Sequence, residues 1–140
     1  MGVLFLIGCA LIVQAPGEAG MVDFNRQIRP VLSENCIACH GPDEKAREAG
    51  LRLDTFGGAT ADNDGVRAVV PGNPEESALV KRIFHPDKNE VMPPLKSHKK
   101  LTALQKETLV KWIKEGAEYD EHWAFVVPIK PNLPASPGAN

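Results

Sequence analysis

Apolar residues recur at helical spacing in three stretches of the chain, and between these stretches the period is lost. Phe24, Ile28, Val31 and Leu32 form the first stripe, which predicts a helix over 24–35 capped by Asp23. Pro30 falls inside it. Its ring removes a backbone donor and crowds the preceding turn, so two short turns joined at Pro30 are expected. Asn73-Pro74-Glu75-Glu76 predicts a second helix start, with Asn73 as cap, Pro74 at the first position and two acids at the positive end of the dipole. Leu79, Val80, Ile83 and Phe84 supply its buried stripe, and Pro86 lies beyond its end. The third and clearest helix runs from Thr102 to Gly116. Thr102 and Gln105 form a capping box, Leu109, Val110, Trp112 and Ile113 an apolar face, and Gly116 the C-cap.

Between the first two stripes, Gly57-Gly58, Asp62-Asn63-Asp64-Gly65 and Pro71-Gly72 are turn signals. Leu51 to Leu53 and Val66 to Val70 are long enough only for short strands. At the N-terminus, Val3 to Val13 is almost wholly apolar. It is too short to span a bilayer, which takes about 20 residues, but has the length of a signal-peptide core. Small residues follow at Ala15, Gly17, Ala19 and Gly20, although no Lys or Arg precedes the run. Leu6-Ile7-Gly8-Cys9 resembles a lipidation box, yet Ala10 to Val13 stay apolar where a polar tether belongs, so Cys9 reads as apolar filler. Pro128, Pro131, Pro134 and Pro137 recur every third residue, the pattern of an extended linker. The expected organisation is a signal-peptide-like segment over 1–20, a folded domain over 21–125 and a proline-rich linker or tail over 126–140.

Composition narrows the class. The chain is 43% hydrophobic but only 6% aromatic, and Gly and Pro contribute 12 residues each. A small, loop-rich domain of this kind gains from a staple, and a bound cofactor would supply one. The net charge of −2 excludes the basic footprint of a nucleic-acid binder. Three cysteines are too few for a disulfide scaffold.

Two of them carry the chemistry. Cys36-Ile37-Ala38-Cys39-His40 is a C-x-x-C-H motif, the attachment signature of c-type haem. Each thiol adds to one porphyrin vinyl, and the two-residue spacing lets both sulfurs reach one edge of the ring. The adjacent histidine is then placed to ligate the iron. Haem attachment takes place outside the cytoplasm, which agrees with the signal-like N-terminus. Zinc requires a second ligand pair, a thioredoxin-like redox pair requires a βαβ pattern, and a plain disulfide remains the third alternative. For the opposite face of the iron, Met92 in Val91-Met92-Pro93-Pro94 is the leading candidate, because the prolines hold a loop stiff. Methionine opposite histidine raises the reduction potential. His85, His98 and His122 are rival ligands, and a core-filling role is the alternative for Met92. Lys96, Lys99 and Lys100 read as a solvated face, with steering of an acidic redox partner as the second possibility.

Several further stretches resemble the planctomycete-type cytochrome c domain: Val22-Asp23-Phe24-Asn25, Arg29-Pro30-Val31-Leu32, the motif with Gly41-Pro42-Asp43, Gly50-Leu51-Arg52-Leu53-Asp54, Val70 to Ser77, Met92-Pro93-Pro94, Leu101-Thr102 and Trp112 to Ala117. The resemblance covers about Val22 to Phe125. It implies a mainly α, class I cytochrome c-like fold of three to five short helices around one haem, with long irregular loops and room for a short β-hairpin. It carries covalent haem attachment onto Cys36 and Cys39, proximal ligation onto His40 and distal ligation onto Met92. In that family the domain usually opens a larger secreted protein, and His122-Trp123-Ala124-Phe125 resembles the passage into its later domains. The expected function is therefore non-enzymatic single-electron transfer by a periplasmic or otherwise exported domain. Its partners are redox proteins, with no nucleic acid and no membrane tether. A sensory or structural haem module of a larger protein is the second reading, and a peroxidase-like enzyme using His85 or Glu90 the third.

Overall fold

The computed structural model describes residues 20–120. The signal-like segment (all but Gly20), the His122–Phe125 passage and the proline-rich stretch lie outside the described residues. Among the described residues, four short α-helices, one π-helical turn, one 3-10 turn and a two-stranded hairpin make up the regular structure, and loops supply the rest.

The first stripe divides at Pro30, as its chemistry requires. Asp23 accepts the Arg26 N–H and caps a π-helical turn over Phe24–Ile28. Helix α1 then spans Arg29–Asn35 with Pro30 in its first turn. The wider π turn keeps the proline ring clear of the carbonyls before it. Helix α2, Phe56–Thr60, replaces the turn expected at Gly57-Gly58. Thr55 caps it by accepting the Gly58 N–H at 3.2 Å. Gly58 serves close packing rather than a turn, since a Cβ there would lie 2.6 Å from the Arg52 Cβ.

Strands β1, Asp62–Asn63, and β2, Val66–Arg67, pair antiparallel with Asn63 opposite Val66. Asp64 and Gly65, both at positive φ (53° and 81°), form the two-residue turn that suits such a hairpin. The strand expected to continue to Val70 stops at Arg67, and Leu51 to Leu53 is loop.

Helix α3, Ala78–Ile83, begins four residues later than the Asn73-Pro74 signal predicted. Asn73 does accept the Glu76 N–H at 3.3 Å, but only as a turn. Ser77 interrupts. It is wholly buried, its hydroxyl donates to the Asn73 carbonyl at 2.9 Å, and it accepts the Val70 N–H at 2.9 Å. Ser77→Ala leaves the half-buried Val70 N–H and the Asn73 carbonyl without this fully buried partner and is expected to cost about 1–3 kcal/mol in denaturant unfolding. Phe84, assigned to the buried stripe, is instead 51% exposed, with the Lys106 ammonium 5.0 Å from its ring centre. Helix α4, Ala103–Lys114, carries the predicted capping box in both directions.

The core lies where the π turn meets α1 and α4. Phe24, Ile28, Leu32, Leu109, Trp112 and Ile113 are all buried there. Trp112 packs on Phe24 at 5.8 Å between ring centres, and its Nε1–H donates to the Glu118 carbonyl at 2.9 Å. Tyr119 fits between Phe24, Trp112 and Phe56, with ring centres 4.5, 5.3 and 6.1 Å away, and donates its hydroxyl to the Leu53 carbonyl at 3.1 Å. Burial holds the Tyr119 phenol well above its ordinary range. This aromatic cluster ties both ends of the described chain to the segment that comes after the C-x-x-C-H motif.

Candidate haem site

The motif continues directly from the end of α1. Cys36 and Ile37 both donate their N–H groups to the Leu32 carbonyl, at 2.8 and 3.0 Å. Cys39 and His40 then donate to the Cys36 carbonyl, at 3.1 and 2.9 Å, so the five residues form one tight turn. Gly41 comes next, where no side chain fits: a Cβ there would meet the Ile37 carbonyl oxygen at 2.3 Å.

Loop 47–53 folds back along this turn. Glu48 N–H reaches the Cys39 carbonyl and Leu53 N–H the His40 carbonyl, each at 2.8 Å. Arg47 donates from Nε to the Gly41 carbonyl at 2.9 Å and from its NH2 nitrogen to the Pro42 carbonyl at 2.8 Å. Further along, Arg52 and Asp54 pair through two hydrogen bonds, which hold the Asp54 carboxyl below its usual range.

The three motif side chains stand in different environments. Cys36 is half-buried against the core and Cys39 is exposed, and neither is in a disulfide. Burial pushes the Cys36 thiol up from 9.0 to about 11, against the opposing pull of the Lys99 ammonium. Because folding raises this pKa, the contribution of the free thiol to stability is whole below about pH 9 and fades as pH rises through about 11. His40 is half-buried, and its Nδ1 is buried without a hydrogen-bond partner. A buried polar atom with no partner is uncommon and invites a partner outside the polypeptide.

Met92 sits in another part of the fold. Its N–H donates to the Arg82 carbonyl at 3.0 Å, the Met92–Pro93 bond is cis, and Val91 to Pro94 are half-buried. The Leu95–Ser97 3-10 turn comes after it, and Lys99 then donates its ammonium to the Glu34 carbonyl at the end of α1. The loop that holds Met92 therefore runs from α3 back to the helix that delivers Cys36. A cation also suits that negative helix end.

Of the rival ligands, His85 accepts the Asp87 N–H through Nδ1 at 3.2 Å, a local turn contact. His98 is exposed in a left-handed turn, and His122 lies outside the described residues. The proposed steering lysines divide: Lys99 is engaged at Glu34, while Lys96 and Lys100 face solvent.

These residues fit a haem better than a metal ion alone. Among the described residues no three His, Cys, Asp or Glu side chains are grouped closely enough to hold an ion, so Cys36, Cys39 and His40 do not converge on one point. A porphyrin asks the opposite, with two sulfurs on the ring edge and one nitrogen at the iron. Cavities of about 40 and 30 Å³ beside the core are water-sized and touch neither His40 nor Met92. Arg47, Ser77 and Tyr119 escaped sequence reasoning, because a lone arginine, serine or tyrosine in loop carries no periodic or motif signal.

The described residues form a small domain of short helices, loops and one hairpin, consistent with a cytochrome-like domain. Residues 36–96, from the motif to just past Met92, match the family model of planctomycete cytochrome C, and the match implies haem binding. Comparison with curated proteins and with solved structures returned no match. Among the described residues no helix is long and apolar enough to cross a membrane.

Proposed function

We propose that this domain moves single electrons through one covalently attached haem c. Cys36 and Cys39 form the thioethers, His40 is the proximal iron ligand and Met92 the distal one, within a class I cytochrome c-like fold. One observation carries the reading: both cysteines and a histidine with a buried, unpartnered nitrogen share one rigid turn. When bound, the haem would supply the one-electron chemistry, and Cys36, Cys39, His40 and Met92 are the residues that would hold it. The domain acts outside the cytoplasm, with a redox protein as partner.

The alternative of a sensory or structural module shares the same haem and differs only in its partner. The peroxidase-like reading draws on His85 and Glu90. Here Glu90 is paired with Arg82 and His85 with its own turn, so no observation favours it.

Met92→Ala separates these roles. The variant is expected to keep its covalent haem, to show a lower midpoint potential, and to bind carbon monoxide rapidly when reduced, whereas the parent protein binds it slowly. Equal carbon monoxide binding in both proteins would remove Met92 from the iron.

A further inference from the structure

We infer that Arg47 is a positioning residue for His40. The inference rests on the proposed role of His40 as an iron ligand. It starts from the backbone that leaves the motif. The four successive carbonyls of Cys39, His40, Gly41 and Pro42 are each taken by a donor from loop 47–53. Two of those donors are backbone N–H groups. The other two belong to the single guanidinium of Arg47, which spans Gly41 and Pro42 at 2.9 and 2.8 Å.

The imidazole has no comparable restraint of its own, since its Nδ1 is buried without a partner. The direction in which His40 presents its ring is therefore set by the backbone on either side. On the N-terminal side the turn hydrogen bonds of Cys36 fix it. On the C-terminal side Gly41 is pressed against the Ile37 carbonyl, and Arg47 holds it there. A planar fork can bind two neighbouring carbonyls at once, whereas the compact ammonium of lysine is a point donor without that geometry. Arg47 also places a positive charge beside the motif, and a nearby cation disfavours the more positive, oxidised iron.

The test compares the haem-loaded parent protein with Arg47→Met and Arg47→Lys, by electron paramagnetic resonance of the oxidised state and by redox titration. Arg47→Met is expected to retain covalent haem, to shift the low-spin g-values and to lower the midpoint potential. Arg47→Lys, which keeps the cation and loses the fork, is expected to shift the g-values with a smaller change in potential. Wild-type g-values in the variants, even with reduced thermal stability, would make Arg47 a structural residue only and overturn the inference. Where Arg47→Met fails to fold, Arg47→Lys decides alone. An unsubstituted protein that retains no haem after correct maturation would instead remove the role of His40 itself, an outcome visible without any Arg47 variant.

Discussion

A protein carrying both Cys36→Ala and Cys39→Ala is expected to lose all haem that survives denaturing extraction, while either single variant retains part of it. The reason lies in how the two sulfurs are placed. Cys39 is exposed at the turn, and Cys36 is seated against the core with its thiol held protonated by burial. On the proposed attachment each would form one independent bond to the ring, so one thioether would be enough to keep the haem on the chain. The double variant is also expected to melt well below the loaded protein. A bound haem would cover apolar surface, and the polypeptide leaves Phe84 51% and Leu95 62% exposed. At about 25 cal/mol per Å², that cover matters to a domain of this size. The check is a denaturing gel stained for haem, alongside a thermal melt of each variant. An unchanged melting temperature in the double variant would show that haem is no part of the core.

The second large effect belongs to Trp112→Ala. Trp112 is 2% exposed, lies between Phe24 and Tyr119, and anchors the chain after α4 by its hydrogen bond to Glu118. Removing so large a buried ring leaves a cavity that the short helices around it have little freedom to close. The expected cost is about 3–5 kcal/mol, against a total of roughly 5–15 kcal/mol for a small domain. The melting temperature should fall by at least about 12 °C. Because Tyr119 bonds to Leu53 and Leu53 bonds to His40, haem loading should fall with it. A variant that melts within a few degrees of the parent would place the core elsewhere.

What the sequence made legible is what local chemistry determines. The capping box of α4 needs only Thr102 and Gln105, and both of its bonds are present. Asp23, Pro30 and the Asp64-Gly65 turn act within a few residues of themselves, and each behaves as its side chain dictates. The misreadings involve contacts between distant segments. Gly57-Gly58 looked like a turn because the approach of Arg52, which requires a glycine at 58, is tertiary. Asn73-Pro74 looked like a helix start because nothing local reveals that the Ser77 hydroxyl turns back to Val70. Phe84 had the right period for burial, yet it stays 51% exposed with the Lys106 ammonium over its ring. The motif itself was fully legible. Its support by Arg47 was not, since a side chain bonding to backbone carbonyls leaves no residue pattern to find.

The central claim is that Cys36, Cys39, His40 and Met92 hold one covalent haem. It is tested most directly by optical spectra of protein made with haem-maturation machinery, oxidised and reduced, after denaturing extraction of free haem. The account predicts retained haem, a sharp α band on reduction and, in the refolded oxidised protein, a weak long-wavelength sulfur-to-iron band that Met92→Ala abolishes. Correctly matured protein that retains no haem would contradict it and return Cys36 and Cys39 to zinc or disulfide chemistry.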